Sequence, residues 1–152
     1  MIEIATGPSD FRAANTSLLR VLVLGRSRGN AEVMLGELQR SGYRCQADVV
    51  ETRSEFLSCL EQCDHDLVLS NYELQGWTGL DAFNMMRRGE RELPFILITE
   101  MLGEEVAVEC IKQGVSDYVL KDHMARLPVV VARALEEKSL RDARSFMVEA
   151  LQ

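Results

Sequence analysis

Long hydrophobic runs are missing from this chain. No stretch approaches the roughly 20 apolar residues needed to cross a bilayer. The start, Met1-Ile2-Glu3-Ile4, carries an acid where a signal peptide would place a basic run before an apolar block. Both features predict a soluble, cytoplasmic protein without a membrane contact. Basic charge is also short, with 17 Lys and Arg against 24 Asp and Glu, a net charge of −7. That balance speaks against nucleic acid as a direct partner, because phosphate backbones select clustered Lys and Arg. Histidine occurs only at His65 and His123. There is no Ser–His–acid signature and no paired metal-ligand motif, and both histidines sit beside turns or helix starts, where they read as solvated side chains. Cys45, Cys59, Cys63 and Cys110 are scattered and read as free thiols. Cys59-x-x-x-Cys63 followed by His65 has the look of a metal site. However, Phe56, Cys59, Leu60 and Cys63 share one face of a predicted helix, so core packing is the simpler reading.

What is present is alternation. The 152 residues suit one domain with one sizeable core. Residues 1–18 show no clear period and read as a leader. Leu19 to Leu24 is a short, almost wholly apolar run, suited to a strand buried on both faces. Asn30 can cap a helix with Ala31, Met34, Leu35 and Leu38 on one face, and Gly42 is placed to end it. Cys45 to Val50 reads as a second strand, and Thr52-x-x-Glu55 is a capping-box pattern opening a second helix. Leu67-Val68-Leu69 predicts a third strand and Thr78 a cap for a third helix carrying Leu80, Phe83 and Met86. A fourth strand lies within Pro94 to Thr99. The fourth helix carries Val106, Ala107, Cys110 and Ile111, with Gly114 after it. Asp117 to Leu120 is a fifth short strand, and a long helix follows from about His123. Five strand–helix units in strict alternation imply right-handed crossovers and a parallel α/β sheet with helices on both faces. Residues 19–138 hold this unit. Residues 139–152 extend the last helix beyond the sheet, with Leu140, Ala143, Met147 and Ala150 in a short heptad stripe. The stripe fits a homodimer seam or a helical link to an output domain; its plainer alternative is packing on its own domain.

In an open α/β sheet, sites form beyond the carboxyl ends of the strands. The positions there are Gly25-Arg26, Asn71, Thr99-Glu100, Tyr118 and Lys121. The segment from Asp66 to Leu80, with Ser70-Asn71-Tyr72 at its centre, resembles the phosphoacceptor region of response-regulator receiver domains. Leu97-Ile98-Thr99 is similar to their fourth strand with its switch hydroxyl, and Gly114 to Lys121 to their fifth, with Tyr118 as switch aromatic and Lys121 as the invariant-type lysine. The resemblance covers about residues 19 to 138. It implies a CheY-like, flavodoxin-like (βα)5 sandwich with strand order 2-1-3-4-5.

The departures from the family pattern carry the functional expectation. The family binds magnesium through an acidic pair after the first strand, and here those positions are Gly25 and Arg26. Magnesium demands oxygen ligands, and an Arg in their place repels it. The phosphoacceptor aspartate aligns with Asn71, whose amide is no nucleophile toward a phosphoryl group. Glu100 stands where the family has a small residue, and Asp122 where it has a proline. Two cations, Arg26 and Lys121, then face one carboxylate, so Arg26 or Lys121 is expected to pair with Glu100 or to bond the Asn71 side-chain oxygen. The resulting expectation is a pseudo-receiver, not an enzyme and without bound magnesium. It would signal by protein contact, with a sensor kinase or output domain, through the fourth-helix, fifth-strand and last-helix face. Two other readings compete. One is a phosphate- or nucleotide-binding domain using the Gly25–Gly29 turn, with Glu51 toward a ribose; the turn matches neither G-x-G-x-x-G nor a P-loop. The other is a receiver phosphorylated elsewhere, at Ser70, Thr78 or Glu73.

Overall fold

In the computed structural model, residues 2–4, 18–25, 28–89, 91–100 and 103–150 are described. Five parallel strands form the body of the sheet: β2 (Leu19–Leu24), β3 (Cys45–Val50), β4 (Leu67–Asn71), β5 (Phe95–Thr99) and β6 (Asp117–Leu120). A sixth, β1 (Ile2–Ile4), lies at the edge, and the spatial order is β1-β3-β2-β4-β5-β6. Counting only the parallel strands, this is the expected 2-1-3-4-5 order of a flavodoxin-like fold. β1 corrects the reading of residues 1–18 as a leader without regular structure. Ile2, Glu3 and Ile4 pair antiparallel with Ala47, Gln46 and Cys45, supplying ladder partners along half of an otherwise bare edge. Three residues are too few for a period to show in sequence.

The helices are α1 (Arg28–Arg40), α2 (Arg53–Gln62), α3 (Gly79–Arg88), α4 (Glu104–Gln113) and α5 (Leu127–Ala150). α1 begins two residues before the expected cap, Asn30. Thr52 caps α2 and Thr78 caps α3, each accepting from the backbone of the residue three on, while Glu55 and Asp81 reach back to complete the boxes. Gly42 and Gly114 follow α1 and α4 with φ of 98° and 109°. The last helix starts later than His123. Lys121–Arg126 is a 3-10 segment interrupted at His123 (φ −127°, ψ 40°), and α5 begins at Leu127 with Pro128 in its first turn, where a missing N–H costs nothing.

β2 shows how the sheet sorts its side chains. Val21 and Val23 face a core with Met34, Leu35 and Leu38 of α1 and Leu127 and Val131 of α5. Leu22 and Leu24 face the opposite core, with Phe56 of α2, Phe83 and Met86 of α3 and Cys110 of α4. Every residue of β4 and β5 is buried, so the strand ends are fixed in place where the site forms. Among the described residues no helix is long and apolar enough to cross a membrane.

Candidate functional site

Register brings the predicted positions together. Leu24 pairs with Ser70, Asn71 with Ile98, and Thr99 with Leu120. Gly25, Asn71, Thr99, Glu100 and Lys121 therefore gather at one end of neighbouring strands. Arg26, and the side chains of the Gly25–Gly29 turn after Gly25, lie outside the described residues, as does the expected Arg26 contact.

Asn71 is the last residue of β4 and is 4% exposed. Its side-chain amide lies against Gly25: a Cβ added there would stand 2.9 Å from Asn71 Nδ2. A side chain at position 25 would therefore require the end of the Asn71 side chain to shift. The Oδ1 of Asn71 is enclosed and, among the described residues, has no hydrogen-bond donor. Thr99 is buried at the end of β5. Lys121 Nζ lies 3.7 Å from Glu100 Oε1, with side-chain exposures of 31% and 83%. Of the expected partnerships, the Lys121–Glu100 pair is present and a bond from Lys121 to Asn71 is not. So exposed and loose a pair is worth only ~0–1 kcal/mol. Tyr118 is half-buried, packed at the margin of the core that holds Leu97 and Cys110.

The loop after Asn71 is built tightly. Tyr72 N–H donates to Ile98 O and Gly79 N–H to Tyr72 O, and Ser70 Oγ donates to Asn71 O. At Gly79 an added Cβ would meet Leu97 Cδ2 at 2.5 Å and Asn71 O at 2.7 Å, so only glycine lets α3 start this close to the sheet. Trp77 closes the loop against Phe56, ring centroids 6.2 Å apart, with the Arg53 guanidinium 5.4 Å from its ring and donating to Gly76 O. Sequence reasoning passed over Trp77 and Arg53. The signal available was a lone tryptophan four residues before the start of a helix-capping box's acid. Glu51, Arg53, Gln75 and Trp77 line an open groove here. The adjoining N-terminus of α2 is already satisfied by Glu55, whose carboxyl is held below the usual range by backbone hydrogen bonds from Glu51 and Thr52.

Two expectations about reactive side chains meet different outcomes. The four cysteines are free; burial pushes the Cys45 thiol up to about 11, and burial also raises Cys59 and Cys110. Cys59 is half-buried against the core that holds Phe56 and Leu60, as core packing predicts, whereas Cys63 is not on that helix face: it follows α2 as its cap, with extended backbone (φ −126°, ψ 151°). His123 is exposed, but His65 is not the solvated side chain expected. It is buried, because Asp48 on β3 offers its carboxylate to Nε2 at 2.8 Å. Among the described residues no group of three or more His, Cys, Asp or Glu is gathered so as to hold a metal ion.

The response regulator receiver domain model matches residues 21–132. The chain belongs to that family of signalling domains. The receiver is 33% identical over 87 residues to the regulatory protein AtoC of Escherichia coli, a stretch that is 57% of this chain and 19% of AtoC. The chain thus spans about a fifth of that relative's length. Among solved structures, the signal receiver domain of a LuxO repressor protein from Vibrio parahaemolyticus superposes with a TM-score of 0.73 at 23% identity, covering 84% of this chain and 97% of that one. A CheY-like receiver from Methanospirillum hungatei gives 0.69 at 19% identity, covering 82% and 99%. These two likenesses speak to the fold. The expected heptad stripe falls within α5: Leu140 is 62% and Met147 63% exposed, Ala143 is exposed, and the Ala150 side chain lies outside the described residues.

Proposed function

We propose that this receiver has lost its phosphorylation chemistry and signals through protein contact alone. The observation that carries the reading is Asn71, buried at the phosphoacceptor position with its amide lying over Gly25. A carboxamide cannot attack a phosphoryl group as a carboxylate does. The donor set also does not suit magnesium. Gly25 offers no side chain, Asn71 one neutral oxygen, and Glu100 is drawn toward Lys121. No catalytic step is assigned to the pocket.

Contact surfaces support the same reading. Val108 and Ile111 of α4 and Val129 of α5 are exposed, and the α4–β6–α5 side on which they lie is our proposed face for a sensor kinase or output domain. Beyond residue 138, Leu140, Ala143 and Met147 repeat at heptad spacing on an exposed face, which fits a second copy of the helix and a homodimer. The net charge of −7 argues against direct nucleic-acid binding, and the proposed setting is cytoplasmic.

The test is incubation of the chain with acetyl phosphate and magnesium, read by intact mass. No phosphate should add to the native chain or to Asn71→Asp. The triple variant Gly25→Asp, Arg26→Asp, Asn71→Asp should gain one, because it restores both the metal ligands and the nucleophile. A phosphate on the native chain in this pocket would sink the proposal.

A further inference from the structure

The unpartnered Oδ1 of Asn71 has a potential donor two strands away. A buried acceptor left without a donor costs about 1–3 kcal/mol, so its neighbourhood bears on what the pocket can do. Asn71 sits beside Ile98 on β5, and the next residue of β5, Thr99, sits beside Leu120 on β6. Lys121 follows directly. Two strand spacings come to roughly 10 Å, a gap that a lysine stem and an asparagine side chain can bridge between them. Lys121 instead turns toward Glu100, at 3.7 Å, in an ion pair whose carboxylate is 83% exposed. The exposed carboxylate is screened by water and salt; the enclosed amide oxygen has no donor among the described residues. Each destination therefore offers the ammonium a partner, the outward one weak and the inward one at the cost of desolvating the charge.

The geometry points to Lys121 as a two-position latch, outward on Glu100 or inward on Asn71 Oδ1, tipped by whatever competes for Glu100. The competitor that fits is a cationic side chain, Lys or Arg, on a protein docked at the mouth of the pocket. Taking Glu100 sends Lys121 inward and moves the start of the 3-10 segment Lys121–Arg126, which joins β6 to α5. The inference rests on the pseudo-receiver reading, in which Lys121 has no phosphoryl group to hold, and gives the pocket an input other than phosphate.

The experiment follows the Asn71 side-chain amide resonances of the 15N-labelled full chain, without magnesium or phosphodonor. Glu100→Gln should shift them, and raising NaCl from low to high concentration in the unsubstituted chain should shift them the same way. With Lys121→Met in place, Glu100→Gln should leave them where they are. Resonances that stay put in both arms, or that move as far in the Lys121→Met background, overturn the latch. Neither result depends on phosphate uptake, so the latch and the loss of phosphorylation chemistry fail separately.

Discussion

The two halves of α5 carry the same kind of side chain and meet opposite fates. Leu127, Val130, Val131 and Ala134 are at most 4% exposed, sealed under the sheet beside α1. Leu140 and Met147, further along the same helix, are more than three-fifths exposed. At 24 residues the helix is about 36 Å long, longer than the strands it covers, which have four to six residues. Apolar spacing thus states that a face needs cover, not where the cover comes from. In the first half the chain supplies it. In the second no described residue supplies it, and the stripe lies on a different side of the helix from the packed face.

The sharpest way to break this contrast is to truncate one leucine in each half. Leu127→Ala should cost about 2–5 kcal/mol in urea denaturation, the usual toll of a large-to-small change in a packed core. Leu140→Ala, measured at concentrations dilute enough for monomer, should stay within ~0.5 kcal/mol of the parent. Equal losses would mean that the second half is packed on the domain after all.

A smaller effect on folding, but a clear one on mass, is expected from charging the exposed stripe. Each large apolar side chain sealed in a seam contributes about 1.5–3 kcal/mol. Leu140→Glu with Met147→Glu should therefore weaken self-association by roughly 100-fold or more, and light scattering should report a monomer where the parent chain is a dimer. Removing residues 139–152 should do the same. A parent chain that is already monomeric at high concentration would leave the stripe to a different partner and remove the homodimer.

How much of this was legible depended on whether the signal was local. Runs such as Phe95-Ile96-Leu97-Ile98 and boxes such as Thr52-x-x-Glu55 announce their element within a few residues, and the parallel strands and the Thr52 and Thr78 caps lie where those signals put them, whereas Asn30, with no box, falls inside α1. The site was legible by position, since strand ends in a parallel sheet must meet. Its state was not. That Asn71 would fill the room beside Gly25, and that its oxygen would lack a donor, depends on side chains 46 residues apart. His65 was misread for the same reason: its partner Asp48 is 17 residues away, on β3. β1 was missed because three residues carry no period, and its pairing with β3 is tertiary.

The smallest expected effect sits at the junction of the two halves. Lys138 is half-buried and is bonded to Asp142 at 2.8 Å, one turn on. The order is the less favourable one, with the cation toward the helix N-terminus, so the pair should be worth no more than about 0.3–0.5 kcal/mol. Lys138→Ala should then speed amide exchange over residues 140–147 by about twofold in the monomer, and leave self-association unchanged, because Lys138 does not belong to the stripe of Leu140, Ala143 and Met147. A loss above ~1 kcal/mol would mean that this one surface pair, and not a partner molecule, holds the projecting half in helical form. The contrast between a half covered from within and a half awaiting cover would then give way to a helix that stands on its own.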